Sequence, residues 1–144
     1  MGELNKNIIL IGMPGSEKTT IGKILSEKLG FKFIDTNEGT DKSSSKLTNA
    51  SGGQYSIIST EVDALKKCFS IKENGVVIFI DKPVEKIIKD EEVLNNRTLL
   101  EAEIHNLKEH FHEKYKSYKN CCDLHLINNN NINEIVYYIC SLWS

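Results

Sequence analysis

The sequence predicts an α/β fold, a three-layer sandwich built around a five-stranded parallel sheet. Along the 144 residues, short apolar runs rich in Ile and Val alternate with segments of helical periodicity. Such runs are typical of strands that are buried on both faces. A turn that contains glycines joins the first apolar run to the first helical segment. Strands that alternate with helices favour a parallel sheet covered by helices on both sides.

The individual elements follow from apolar spacing and from residues that begin or end helices. Gly30 is predicted as the C-terminal stop of the first helix, and Pro83 as the start of the third. The predicted strands are residues 7–12, 31–35, 55–60, 75–81 and 123–127. The predicted helices are residues 18–30, 61–69, 83 to about 89, 99–120 and 132–143. The polar stretches are predicted as a mobile loop at 36–54, a connector at 91–98 and a turn at 128–131.

Two apolar stripes on the later helices predict buried faces. A stripe at helical spacing is more often core than a platform for stacking a base. On the fourth helix the stripe consists of Leu107, Tyr115 and Tyr118. On the last helix it consists of Ile135, Tyr138, Ile139 and Leu142.

The composition indicates an ordinary globular chain and excludes several function classes. Hydrophobic residues make up 40% and charged residues 26%, and the net charge is -2, so no basic footprint for nucleic acid or an anionic membrane is present. The apolar runs of the sequence, such as residues 8–11, are far too short to span a bilayer. Four cysteines without a C-x-x-C pair predict free thiols in a reducing cytoplasm. We expect a monomer of one domain, residues 1–144, whose histidines (His105, His110, His112 and His125) are solvated rather than metal-bound.

The stretch GMPGSEKTT, residues 12–20, nearly matches the phosphate-binding pattern G-x-x-x-x-G-K-[ST]. In such a loop, successive backbone N–H groups and the positive end of a helix surround phosphate oxygens. Glu17 stands where the pattern has glycine, just before Lys18. The candidate nucleotide-binding residues of the loop are Gly12, Gly15, Ser16, Glu17, Lys18, Thr19 and Thr20.

Glu17 brings a Cβ into a crowded turn and a carboxylate toward polyanionic phosphate. Two like charges about 5 Å apart cost roughly 1–3 kcal/mol, or about tenfold to hundredfold in affinity. The penalty shrinks if the side chain turns to solvent. Alternatively, Glu17 pairs with Lys18 or Lys23 and blocks the site.

The first 38 residues, and NIILIGMPGSEKTTIGKILSEKLGFKFIDTNE in particular, resemble the opening of shikimate kinases. These are small P-loop kinases of the nucleoside-monophosphate-kinase-like group, which transfer the γ-phosphoryl group of ATP to shikimate in aromatic amino acid biosynthesis. Later pieces, including ENGVVIFIDKPVEKII, NRTLL and DLHLI, follow in the family's order. The resemblance implies the strand order 2-3-1-4-5, ATP and Mg²⁺ as cofactors, and a small-molecule substrate.

The resemblance also implies roles for individual residues. Lys18 matches the lysine that contacts the β- and γ-phosphates, and Thr19 matches the hydroxyl that ligates magnesium. Asp35 matches an acid that supports the magnesium site and lies near the substrate hydroxyl. Arg97, the sole arginine of the sequence, matches the lid arginine that closes over the phosphates. The implied catalytic residues are therefore Lys18, Asp35 and Arg97.

The sequence departs from the family pattern where the acceptor should bind. Asn37 replaces a second acid, Glu61–Asp63 reads EVD where the family has three glycines, and Lys114 replaces an arginine. The substrate-domain loop at 36–54 is shortened and lacks arginine, although Arg suits carboxylate binding better than Lys. Glu61 and Asp63 could replace a magnesium ligand. Three hypotheses follow: a shikimate-kinase-like phosphotransferase, a non-catalytic nucleotide-binding or partner-binding relative, and a kinase for another small hydroxylated acceptor.

Overall fold

A computed structural model describes residues 6–35, 55–60, 72–73 and 75–143. The five strands form one parallel sheet in the order β2-β3-β1-β4-β5, which confirms the predicted fold and strand order. The strands are β1 Asn7–Ile11, β2 Lys32–Asp35, β3 Ser56–Thr60, β4 Gly75–Asp81 and β5 Leu124–Ile127. The central strand β1 pairs with β3 on one side and with β4 on the other, so both of its edges are covered.

The described residues form four helices, and three of them match the predicted segments closely. The helices are α1 Lys18–Leu29, α2 Val84–Asn95, α3 Glu101–Cys121 and α4 Ile132–Trp143. Gly30 ends α1 in the left-handed conformation, as predicted. The predicted loop 36–54 and the predicted helix 61–69 lie outside the described residues.

The helix that follows Pro83 is longer than predicted. It continues past residue 89 to Asn95, through residues expected to form a polar connector. Polarity does not stop a helix, because Glu and Leu are good helix formers and the buried Ile87 and Ile88 already anchor its inner face. The helix ends instead at Asn96, which adopts a left-handed conformation with φ 53°.

The core lies on both faces of the sheet, because alternate residues of a strand point to opposite sides. Ile8 and Leu10 of β1 pack in a cluster with residues of α1 and α4. Ile9 and Ile11 pack in a second cluster that includes Ile87 and residues of α3. Two helical layers therefore enclose the sheet, as expected for a three-layer sandwich.

The two predicted stripes are only partly buried. On α3, Tyr118 is 2% exposed and Tyr115 packs against the core, whereas Leu107 is half-buried. On α4 the prediction for Tyr138 is wrong, because 44% of this residue is exposed. The buried face of α4 consists of Ile135, Val136, Ile139 and Trp143. This face is rotated away from Tyr138 because residues 135, 139 and 143 are spaced four apart and Trp143 anchors the row through an Nε1 hydrogen bond to Lys6 O at 2.9 Å.

The parallel arrangement brings the carboxyl ends of all five strands to one edge of the sheet. Residues 12–17 follow β1 there, Asp35 ends β2 and Asp81 ends β4. Ligands of open α/β sheets bind at this edge. The fold therefore places the glycine-containing loop and two strand-end carboxylates on the same side of the molecule.

Gly12, at the start of the loop, is packed too closely to accept a side chain. Its φ is 152°, and an added Cβ would lie 2.5 Å from Ile80 O and 3.0 Å from Ser16 Oγ. We expect Gly12→Ala to destabilise the fold by about 1–3 kcal/mol through overpacking, which corresponds to a melting temperature lowered by roughly 3–10 °C. Thermal unfolding followed by circular dichroism measures this shift.

Gly30→Ala is the matched control for that variant. Gly30 also has a positive φ, 72°, but a Cβ there meets nothing within 4 Å. Its cost is limited to the left-handed backbone, about 1 kcal/mol. Equal losses in the two variants would contradict the packing argument at Gly12.

Candidate phosphate-binding site

Residues 12–17 form a tight loop between β1 and α1. Ser16 N donates a hydrogen bond to Met13 O at 3.1 Å, and three positions have left-handed or otherwise positive φ, namely Gly12, Gly15 and Glu17. The first bond of α1 runs from Ile21 N to Glu17 O at 3.0 Å. The N–H groups of residues 18–20 come before that bond and have no intrahelical acceptor. The loop thus has the backbone arrangement that binds anions.

Lys18 places its ammonium group inside this loop. The residue is only 4% exposed, and Nζ donates to Gly12 O at 2.9 Å and to Met13 O at 3.0 Å. These contacts tie the helix start to the beginning of the loop. They fix a positive charge at the loop, where a charge-assisted hydrogen bond to a phosphate oxygen is strong.

Thr19 and Asp35 are brought together from different elements. Thr19 Oγ1, in the first turn of α1, donates to Asp35 Oδ2, at the end of β2, over 3.2 Å. A hydroxyl and a carboxylate are the hard oxygen ligands that Mg²⁺ uses together with phosphate oxygens. Thr20 lies on the same turn and is exposed.

Glu17 adopts the backbone conformation that explains why the pattern has glycine at this position. Its φ is 75° and ψ is 26°, a left-handed conformation that side chains disfavour. Its carboxylate oxygen Oε2 lies 2.9 Å from Lys82 Nζ and 3.1 Å from Asn128 Nδ2. The pairing with Lys18 or Lys23 considered from the sequence is therefore wrong, and the side chain is held rather than released to solvent.

Lys82 and Asn128 were not identified from the sequence. Lys82 is 1% exposed and also pairs with Asp90 of α2. Burial opposes the charged form of Lys82, but the hydrogen bonds to Asp90 and Glu17 outweigh it, so the pKa of this ammonium is raised. Asn128 is fully buried and also donates to Ser16 O at 3.1 Å. Their positions in the sequence could have indicated a role at the site, because each residue directly follows a strand at the carboxyl edge of the sheet.

Within the part of the chain that the structure describes, the Arg97 side chain contacts groups that lie away from the loop. Its guanidinium forms two hydrogen bonds of 2.9 Å to the carboxylate of Glu103 and one of 3.3 Å to Thr98 O. Glu103 also accepts from Leu100 N at 2.8 Å. The guanidinium and the Leu100 amide lower the pKa of Glu103 to about 2. The structure therefore places Arg97 just before α3, paired with Glu103 of its first turn, and these contacts do not bring it to the other candidate residues.

A second, partly buried polar cluster forms at the end of β4. Asp81 Oδ2 accepts from Tyr115 OH at 2.8 Å and pairs with His125 Nε2 at 2.8 Å. The His125 ring stacks on Phe79 with centroids 4.7 Å apart, so the prediction that this histidine is solvated is wrong. The hydrogen bond to Asp81, together with burial, raises the pKa of Tyr115. Asp81 is thus engaged by protein groups and supports the end of β4.

The residues present fit a nucleotide phosphate and a magnesium ion. Ser16 Oγ is buried without a hydrogen-bond partner among the described residues, and Glu17 makes no side-chain cap to α1, so the loop has not satisfied its own polar groups. No cluster of three or more His, Cys, Asp or Glu residues in the described part of the chain could hold a metal ion alone. Magnesium at Thr19 and Asp35 would need phosphate oxygens as further ligands, which is its usual mode of binding.

Several candidates from the sequence lie outside the described residues. These are Asn37 and the segment 61–63, which includes Glu61 and Asp63. Lys114 lies on α3 and is half-buried. Within the described ranges, no helix is both long enough and apolar enough to cross a membrane.

Comparison with known proteins identifies the family. A model described as the ATPase family associated with various cellular activities (AAA) matches residues 8–120. A shikimate kinase of Clostridium botulinum (strain Eklund 17B / Type B) is 35% identical, over 92% of this chain and 94% of that kinase.

Solved structures agree on the fold. A shikimate kinase from Acinetobacter baumannii in complex with shikimate has a TM-score of 0.76 at 21% identity, covering 97% of this chain and 93% of that one. A gluconokinase from Sinorhizobium meliloti 1021 has a TM-score of 0.68 at 11% identity, covering 98% of this chain and 93% of that one. By the family model the chain belongs to the AAA ATPase family, and by its relatives it belongs to the shikimate kinase family of P-loop kinases.

Proposed function

We propose that this P-loop kinase transfers the γ-phosphoryl group of ATP, with Mg²⁺, to a hydroxyl of shikimate or of a closely related hydroxylated acid. The hydrogen bond of 3.2 Å between Thr19 and Asp35 carries the proposal. It joins the helix turn that follows the phosphate loop to a strand-end carboxylate at the edge where an acceptor would enter. The 35% identical relative supports the choice of acceptor, because its name is shikimate kinase.

The chain's own residues have distinct roles in this proposal. The amides of residues 18–20 and the ammonium of Lys18 hold the β- and γ-phosphates and neutralise charge that develops there. Thr19 and Asp35 would hold Mg²⁺, which when bound would neutralise charge on the phosphate oxygens.

Asp35 also accepts the proton of the acceptor hydroxyl, while the oxygen of that hydroxyl bonds to the γ-phosphorus. The bond from that phosphorus to the bridging oxygen of ADP breaks at the same time. Arg97 would steady the transferred group only after leaving Glu103, since the two side chains are paired here.

Calorimetric titration with ATP and ADP, with and without Mg²⁺, tests the donor half of the proposal. We expect binding, and Mg-ATP at about 100 times its Kd should stabilise the fold by about 2.7 kcal/mol. Absence of binding and of any thermal shift would remove every kinase hypothesis.

A coupled assay of ADP release tests the acceptor half. We expect the kinase to release ADP from ATP when shikimate is present. With gluconate or simple polyols, ADP release should be no faster than with buffer alone. Nucleotide binding without ADP release on any acceptor would instead support a non-catalytic nucleotide-binding relative. That alternative is favoured by the departures from the family pattern at Asn37 and Lys114.

A further inference from the structure

Two residues outside the loop converge on the acidic residue that replaces its glycine. Lys82 directly follows β4, and Asn128 directly follows β5. Lys82 Nζ lies 2.9 Å and Asn128 Nδ2 lies 3.1 Å from the same oxygen, Glu17 Oε2. One carboxylate oxygen therefore receives two donors from adjacent strands of the sheet.

These contacts determine where the Glu17 carboxylate lies relative to the amides that would bind an anion. An acidic side chain at a helix N-cap is attracted to the free amides of the first turn and to the positive end of the helix. Glu17 occupies the N-cap of α1 and makes no such hydrogen bond. Its carboxylate is held by Lys82 and Asn128 instead. The amides of residues 18–20 are therefore not covered by the side chain of Glu17.

Burial makes Lys82 a partner of carboxylates rather than of solvent or ligand. The side chain is 1% exposed, and a buried ammonium requires opposite charge nearby. Among the described residues its carboxylate partners are Glu17 and Asp90, and 58% of the Asp90 side chain is exposed. With both partners in place, the Lys82 ammonium is fully engaged within the protein.

We propose that Lys82, assisted by Asn128, is a positioning residue that pairs with Glu17 and keeps its carboxylate off the phosphate-binding amides. A loop without its glycine thereby still binds a nucleoside diphosphate or triphosphate. The inference rests on the proposed function, because it concerns the same loop. Lys82 does not contact the phosphates; it acts through Glu17.

A double-mutant cycle tests this role. Wild type, Lys82→Met, Glu17→Gln and the double variant are titrated with ADP, with and without Mg²⁺, by calorimetry. In the presence of Glu17, Lys82→Met should weaken ADP binding about tenfold to hundredfold, because an unneutralised carboxylate then faces the phosphates. In the Glu17→Gln background the same change should weaken binding less than about threefold.

Two further variants serve as controls. One tests the loss of any lysine charge near the site, and the other tests the loss of the second carboxylate partner of Lys82, which lies on α2. Lys89→Met removes an exposed lysine from α2, and Asp90→Asn leaves Lys82 with Glu17 as its carboxylate partner. Both should keep ADP affinity within about threefold of wild type. If melting curves show that Lys82→Met does not fold, Lys82→Gln takes its place in the cycle.

The outcomes are distinct. Equal weakening by Lys82→Met in both backgrounds, or unchanged affinity in the presence of Glu17, overturns the inference while nucleotide binding by the wild type stands. If the wild type binds neither ADP nor ATP, the proposed function falls and the inference falls with it.

Discussion

Lys18→Met should lower the affinity for ATP at least a hundredfold and leave no measurable ADP release. Lys18 provides the ammonium that lies inside the loop, 2.9 Å from Gly12 O and 3.0 Å from Met13 O. Charge-assisted hydrogen bonds are about twice as strong as neutral ones, and each contributes roughly 1.5–3 kcal/mol. Loss of contacts to two phosphate groups therefore corresponds to at least about a hundredfold in Kd. Calorimetry and the coupled assay measure the two effects.

The same substitution should also lower the melting temperature. Without the ammonium, Gly12 O and Met13 O lose a buried donor, at about 1–3 kcal/mol for each carbonyl left unsatisfied. Lys23→Met is the matched control, because Lys23 is an exposed lysine on the same helix. It should change neither affinity nor melting temperature. A Lys18→Met protein that binds ATP within threefold of wild type would show that the loop does not hold the phosphates as argued.

The fold could be predicted from the sequence because its signals are local. The run IILI that follows Asn7 is apolar at every position, as expected for a central strand that is buried on both faces, and Gly30 supplies the left-handed residue that ends α1. The sequence does not reveal the end of α2, because the polar residues of its last turns are typical of a connector. Its actual stop, the left-handed Asn96, looks like any other asparagine in a polar run.

The candidate site was predictable only in part, for a related reason. Lys18, Thr19 and the glycines lie within one short motif, and Asp35 was expected from the resemblance to shikimate kinases. The contacts of Glu17 join it to residues 65 and 111 positions away in the chain. Periodicity and motif spacing carry no information about which of many lysines or asparagines will meet a given carboxylate. Asn128 was interpreted as part of a turn of four asparagines, although it is fully buried.

Asp35→Asn should reduce kcat about a hundredfold to a thousandfold while changing nucleotide affinity only a few-fold. The amide has nearly the same shape as the carboxylate, and its Oδ1 can still accept the hydrogen bond that Thr19 Oγ1 donates over 3.2 Å. It cannot accept a proton from the acceptor hydroxyl, and it lacks the charge that attracts Mg²⁺. General base catalysis alone contributes about 10²–10⁴-fold to rate. Steady-state kinetics with shikimate, together with ADP titration, separates the two quantities.

Asp123→Asn is the control for charge and chemistry at Asp35. Asp123 precedes β5, at the opposite edge of the sheet, where it accepts from Val77 N at 2.9 Å and pairs with Lys72 at 3.4 Å. Removal of this carboxylate should change the stability of the fold but not kcat. A full rate in Asp35→Asn would exclude Asp35 as the base. An affinity loss equal to the whole loss in kcat/KM would assign Asp35 to ground-state binding instead, because a group used only in the transition state lowers kcat and kcat/KM together.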